Sequence, residues 1–386
     1  MVTKDENERM TRVGPGTPAG ELLRRYWHPI CPAIELGEQP KRVRLLGEDL
    51  ILFRDGGGRV GLLKEQCSHR LASLFHGFIE EDGIRCPYHG WKYDTDGVCV
   101  HRPFERNPGV ISSTINQGGY LVEKLCGLYW AYMGPKPAPL LPEWETLVGR
   151  DGPRSIQISP TVNCNWLQVM ENSVDPTHTY YLHAQMMIRE GLANLASYYA
   201  RPIEAYSFEV VEEPTWTGIR KIREYGGESS EVELGHPVIF PLTLLVPAQR
   251  DVVMHFRVPV DDDHTAIIRI RHTPGGGTSD MDWDNPGVEY GEPYRDEAGN
   301  YVLRSFPAQD AMAWESEGSV LDRSRELLGA SDRGIVLFRR MLLQQIKAVE
   351  EGRDPSGLIR DPALNKCIAI AVSEGQARVA KQMGLA

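Results

Sequence analysis

The stretch CSHRLASLFHGFIEEDGIRCPYHGW, residues 67 to 91, constrains this chain more than any other. Cys67 and His69 have one residue between them, sixteen residues follow, and Cys86 and His89 then have two between them. Ordinary buried Cys and His at strand ends have no reason to repeat ligand spacing twice. A structural zinc site uses knuckles that hold its cysteines close together and its histidines close together, whereas each loop here supplies one of each. A two-iron, two-sulfur cluster with unlike ends explains the pairing: both cysteines take one iron and both histidines the other. Neutral imidazoles in place of thiolates make such a cluster easier to reduce than an all-cysteine one, so it serves as an electron carrier.

The chain is far longer than such a module needs. Its 386 residues, 41% apolar, suffice for two domains. A net charge of -11 with no basic run disfavours nucleic acid or an anionic membrane as a partner. The opening MVTKDENERM lacks the apolar core of a signal peptide, and no later run approaches the roughly twenty apolar residues of a membrane span. A cytoplasmic protein is expected. Seven scattered cysteines argue against a disulfide framework, and only Cys67 and Cys86 keep histidines at ligand spacing.

Residues 1–40 read as an N-terminal arm packing on the catalytic part, with a short helix capped by Thr17 and opened by Pro18. From 41 to 138, short apolar runs cut by Gly-Gly-Gly and Asp-Gly turns predict an antiparallel β domain. The proline-rich PKPAPLLPEW, 135–144, marks a linker. Residues 139–386 mix helical spacing with strand-like runs such as TGIRKIREY, VVMHFRVPV and TAIIRIRH. In the last, Ile268 and Ile270 alternate with Arg269 and Arg271, the pattern of a half-buried strand. Residues 276–304 read as a surface loop or lid. Near the end, Ile335, Phe338, Leu342, Ile346 and Val349 recur at helical spacing, with Gly352 as the stop.

An electron carrier needs a consumer, and NWLQVMENSVDPTHTYYLH, 165–183, offers one. His178 and His183 lie five apart on a helical stretch. They converge on one metal if the helix is loosened, for which Pro176 supplies a cause. Two histidines and one carboxylate on iron(II) leave positions open for oxygen. Asp175 can accept the free N–H of the His178 ring and fix its tautomer; otherwise it is an acid favoured at a helix N-terminus. Asp280, Asp282, Asp284, Asp310, Asp322 and Asp332 all compete as the third ligand.

The two Cys-plus-His loops resemble a Rieske domain. Ala72 and Tyr88 stand where respiratory-complex Rieske proteins carry disulfide cysteines, so the module is more similar to the oxygenase and ferredoxin kind. One departure is Cys67-Ser68-His69-Arg70-Leu71, where such oxygenases usually end in glycine. Glu171-Asn172, Asp175, His178 and His183, preceded by Asn165-Trp166, resemble the mononuclear-iron motif of Rieske non-haem iron oxygenases. The segment FPAQDAMAWESEGSVLDRSRELLGASDRGIVLFRRML is similar to the C-terminal part of phthalate-dioxygenase-type members, a branch that includes aryl O-demethylases. The resemblance implies an α+β chain: an all-β Rieske [2Fe-2S] domain followed by a helix-grip catalytic domain, an antiparallel sheet with helices. It implies that His178, His183 and Asp310 bind iron and that Asn165 lies near it. It further implies that Asp175 relays electrons from a Rieske histidine of a neighbouring subunit, hence a homotrimer or a hexamer of stacked trimers.

The expected activity is oxygenation of an aromatic substrate by O2, with electrons from NAD(P)H through a separate flavin and iron–sulfur reductase. No G-x-G-x-x-G motif follows a strand in this chain, which leaves the dinucleotide to another polypeptide. Ring cis-dihydroxylation, with a carboxylated substrate as one version, stands first; O-demethylation of a methoxylated aromatic is the alternative, and an electron-transfer protein without chemistry is the rival class. A carboxylate would need an inward arginine, with Arg220, Arg223 and Arg257 as candidates on predicted strands, although strand arginines commonly face solvent. The run HPVIFPLTLLVP, 236–247, reads as an apolar pocket wall or as core.

Overall fold

The computed structural model describes residues 2–107, 112–196, 199–226, 231–233, 235–248, 250–277 and 282–371. Two sheets make the N-terminal β module. A six-stranded sheet runs in the order Trp27–Pro32, Leu128–Tyr132, Gly119–Leu125, Val60–Lys64, Glu48–Arg54 and Lys41–Leu45, and a five-stranded sheet covers Phe78–Glu80 to Ser112–Asn116. The first Cys-plus-His loop leaves the Val60–Lys64 strand, and the second joins Gly83–Arg85 to Lys92–Tyr93. A small separate core of Ile51, Phe53, Leu63, Leu74, Ile84 and Tyr93 holds the bases of both loops.

A nine-stranded sheet dominates the remainder, its main path running from Ile203–Glu212 through Thr217–Tyr225, Val238–Ile239, Thr243–Ala248, Asp251–Pro259, Thr265–His272 and Arg154–Ile158 to Gly287–Tyr290. Side chains alternate across it. Met254, Phe256, Ile268 and Ile270 join the main hydrophobic core, where Phe256 meets Trp130 of the β module at 5.0 Å between ring centroids. His255, Arg257 and Arg269 take the other parity and line a cavity beneath the helical cover. That face is covered at Arg269, whereas Arg271 near the strand end stays exposed, so the apolar/arginine alternation of TAIIRIRH marks solvent only at that end.

The cover comes mainly from helices Trp166–Val174 and Arg333–Glu350, tied by a buried ion cluster. Glu171 accepts from Arg323 Nε and Nη2 at 2.9 and 2.7 Å and from Arg339 Nε at 2.6 Å. The N-terminal helix Lys4–Thr11 docks there too, through Asn7 to Leu321 O and Arg9 to Glu350.

Three expectations shift. The arm predicted for 1–40 contributes its Trp27–Pro32 segment as an edge strand of the β module. The loop predicted for 276–304 includes a strand, Gly287–Tyr290, paired in parallel with Arg154–Ile158. The proline-rich linker is packed down, with Leu140 N bonded to Ile359 O and Pro139 O accepting from Trp27 Nε1.

Candidate active site

The two Cys-plus-His loops are built alike. Cys67 N donates to Ala72 O and Leu71 N to Cys67 O; Cys86 N donates to Trp91 O and Gly90 N to Cys86 O. Each closure puts the residue four beyond the cysteine in the left-handed region, Leu71 at φ 61° and Gly90 at φ 71°. Leu71 thus occupies the counterpart of a glycine position and adopts the glycine conformation. Cys67 and Cys86 are buried, whereas His69 and His89 are partly exposed. The imidazoles lie 4.8 Å apart, His69 stacked on Trp91 at 4.4 Å, and the buried Nδ1 of His89 has no hydrogen-bond partner. Buried thiols behind outward imidazoles, one of them with an orphaned nitrogen, fit a cluster with unlike ends. Tyr93 Oη lies 3.1 Å from Cys67 Sγ and 2.9 Å from Ser68 Oγ.

The second site is created by a break in helix geometry. Pro176 disfavours the α-region for Asp175, which turns to φ -77°, ψ 126° and ends the helix Trp166–Val174. The chain then re-enters as a π-helix, Thr179–Gln185, with His178 just before it. In an α-helix, residues five apart stand about 140° apart around the axis. The wider i→i+5 turn brings them back toward one face, and the His178 and His183 rings sit 5.3 Å apart. Asp310, on helix Phe306–Ser316, places Oδ1 3.4 Å from His183 Nε2.

These three residues could hold one metal ion, their candidate ligand atoms all within 4.8 Å of one another. Asp310 Oδ1 is buried with no hydrogen-bond partner, and His183 Nδ1 bonds Gln309 Oε1 at 2.9 Å. That bond holds the proton on Nδ1 and turns the lone pair of Nε2 toward Asp310. Burial pushes the His183 imidazole below its usual value, which keeps it neutral and able to ligate. Two imidazoles and a carboxylate are the donor set that suits iron(II) with positions left open.

Asp175 accepts from Thr177 N and Oγ1 through Oδ1 and from His178 N through Oδ2, which also lies 3.3 Å from His178 Nδ1. Burial alone would raise its carboxyl, but the His178 and Thr177 contacts outweigh burial and hold it well below the usual range. Lys221 Nζ donates to Asp175 O at 3.2 Å.

The other expected residues separate. Asn165 is not at the metal group: it caps the helix Trp166–Val174 and donates to Thr11 O and Asp262 O, so its amide is consumed by structure. Arg220 has the opposite parity on its strand to Lys221 and Arg223 and bonds Ala371 O. Arg223 is buried, with Nε on Pro176 O and Nη1 on Glu233 and with Nη2 left without a partner. Only Arg257 of the three lines the cavity, about 250 Å³, that contains His178, His183 and Asp310. Leu244 and Val246, from the predicted wall 236–247, line it as well. Among the rival acids, Asp322 caps Arg323–Arg325, Asp332 precedes helix Arg333–Glu350, and Asp282 holds a turn through Asp284 N and Asn285; Asp280 lies outside the described residues. Sequence reasoning missed Gln309, Lys221, His255 and Arg269; the glutamine beside Asp310 was a visible signal for the first.

Residues 26–117 match the model of the Rieske [2Fe-2S] domain, and residues 294–383 match the LigXa C-terminal domain like family. The chain is 38% identical to the oxygenase subunit of 5,5'-dehydrodivanillate O-demethylase from Sphingobium sp., covering 97% of this chain and 89% of that protein. It is 32% identical to the oxygenase subunit of phthalate 4,5-dioxygenase from Pseudomonas putida, covering 92% and 89%. The terminal oxygenase of carbazole 1,9a-dioxygenase from Nocardioides aromaticivorans shares the fold, with TM-score 0.63 at 21% identity over 91% of this chain and 97% of that one. Among the described residues, no helix is long and apolar enough to cross a membrane. This chain belongs to the Rieske non-haem iron oxygenases, as an oxygenase component whose family works with a [2Fe-2S] cluster, a mononuclear iron and O2.

Proposed function

We propose that this chain is the terminal oxygenase of a multicomponent system acting on a methoxylated aromatic compound, which it O-demethylates. The observation that carries the reading is the meeting of His178, His183 and Asp310 in one cavity of a chain with a Rieske domain. Cys67, His69, Cys86 and His89 would hold the cluster, and His178, His183 and Asp310 the iron. When bound, these groups supply one-electron delivery and reductive use of O2. Demethylation is favoured over ring dihydroxylation because the relative sharing 38% identity over 97% of the chain is named an O-demethylase. The dioxygenases among the relatives, at 32% and 35%, support dihydroxylation as the second reading.

The protein's own residues prepare the site. Gln309 fixes the tautomer of His183, and Asp175 holds the backbone of His178 and approaches its ring. Leu244, Val246 and Phe306 give the cavity apolar walls suited to an aromatic ring. The Asp175 side chain keeps 21% exposure, so a histidine of a second copy can reach it; a trimer, alone or stacked as a hexamer, would close that relay. A separate NAD(P)H reductase would supply the electrons.

Iron analysis should return two cluster irons and one further iron per chain, and two alone would reject the reading. With a compatible reductase, methoxylated benzenes should drive O2 uptake and release formaldehyde. Labelled oxygen appearing twice in a ring diol, without formaldehyde, would select dihydroxylation instead.

A further inference from the structure

We propose that Lys221 and Arg223 are positioning residues for the mononuclear iron: from one strand of the large sheet they hold the two backbone carbonyls that the helix break sets free, and so fix where His178 stands. The proposal rests on the oxygenase reading and deepens it at the same site.

The last carbonyls of an α-helix have no partner within it, and a carbonyl left buried without one is costly. Asp175 and Pro176, which follow helix Trp166–Val174, direct theirs to the large sheet. Lys221 Nζ donates to Asp175 O at 3.2 Å, and Arg223 Nε donates to Pro176 O at 2.8 Å. The donors stand at alternate positions of strand Thr217–Tyr225, so they share a face, and the acceptors are consecutive. On another side Gly334 packs so close that a methyl group there would stand 2.6 Å from Val174 O. The helix end is thus held between the strand and helix Arg333–Glu350.

Buried cations are an expensive way to satisfy two carbonyls. Lys221 is 1% exposed and Arg223 is fully buried. Arg223 shares its charge with Glu233, whereas Lys221, among the described residues, donates to the Asp175 carbonyl alone. Burial and then the neighbouring Arg223 push the Lys221 ammonium down to about 7, the mark of a cation held at a cost. A methionine would fill a similar volume without that cost. It cannot donate to Asp175 O, and it lacks the positive charge that suits the C-terminal end of a helix.

The effect reaches the metal group through Asp175. Its side chain accepts from Thr177 N and His178 N, so fixing its backbone fixes the entry to the π-helix Thr179–Gln185. His183 is guided at its ring by Gln309, whereas His178 Nδ1, 3.3 Å from Asp175 Oδ2, is buried without a hydrogen-bond partner. The His178 ring therefore takes its place from the main chain that Lys221 and Arg223 hold.

Variants of Lys221 in the holoprotein test this. Lys221→Met, which keeps the volume and removes the donor, should lose the mononuclear iron to a chelator about tenfold or more faster than wild type, with the cluster absorbance unchanged. With nitric oxide as probe, the ferrous site should give one electron paramagnetic resonance signal in the wild type and a broadened or split one in the variant. Lys221→Gln, whose shorter neutral amide donates less well, should fall between the two on both measures, and it decides the question if Lys221→Met does not fold. Ile346→Val, a change in the main core on helix Arg333–Glu350, should lower the melting temperature and leave iron and signal alone, which separates positioning from a general loss of stability. Wild-type iron retention and signal in the Lys221 variants would overturn the inference, as would equal iron loss in Ile346→Val. A wild type that binds no third iron counts against the oxygenase reading and takes this inference with it, whereas a wild type and Lys221 variants that hold it equally reject this inference alone.

Discussion

Leu71 shows how a single residue carries a backbone requirement. The loop closure that Gly90 completes without strain in the second loop is completed in the first by a leucine at φ 61°. For an L-residue that conformation costs about 1–2 kcal/mol, and a side chain 66% exposed recovers little of it by packing within the chain. Leu71→Gly should therefore raise the unfolding free energy of the holoprotein by about 0.5–1 kcal/mol, the strain relieved less the extra chain entropy glycine brings. Leu71→Ala should give much less, since alanine keeps the strain. Denaturant titration of the three proteins compares them, and a destabilised glycine variant would refute the strain account.

At the scale of elements, the metal group depends on two short pieces of helix held in register. The π-helix Thr179–Gln185 turns the histidines to one face, and helix Phe306–Ser316 presents Gln309 and Asp310 to it as neighbours. Gln309 Nε2 is itself anchored on Leu303 O, so its oxygen is aimed rather than free to rotate. Gln309→Leu should lower iron affinity about 10–100-fold, read as faster iron loss to a chelator with the cluster absorbance unchanged. Gln309→Glu, which keeps an acceptor, should lose less. Equal retention of iron by all three proteins would remove the positioning role.

Across the whole molecule, Glu171 is the tie. It joins the helix before the site to helix Arg333–Glu350, and Arg323 adds the N-terminal helix through Asn7 Oδ1. Removing one partner of such a buried cluster strands its charges, so Glu171→Ala should cost about 3–5 kcal/mol in denaturant titration. Burial opposes ionisation of Glu171, but Arg323 and Arg339 outweigh it and hold the carboxyl below its usual value. Its contribution is thus complete above the ordinary carboxylate range and is lost as pH falls through the lowered folded value. Glu171→Gln should flatten that part of the acid-stability profile; an unchanged profile would place the acid sensitivity elsewhere.

The cluster loops and the two histidines were legible because ligand chemistry demands particular residue types at short spacing, and short spacing is visible in a linear text. The strands and the last helix were legible for the same reason, through their periods. Asp310 could be singled out only by family likeness, since a carboxylate more than a hundred residues from His183 carries no local signal. The arginines exposed the limit most clearly. Parity along a strand says which side chains share a face, but not what covers that face, and here helices cover one side and the β module the other. Arg220, Arg223, Arg257 and Arg269 look equivalent in the text. Only packing decides that Arg220 reaches Ala371, that Arg223 pairs with Glu233, and that Arg257 and Arg269 face the cavity.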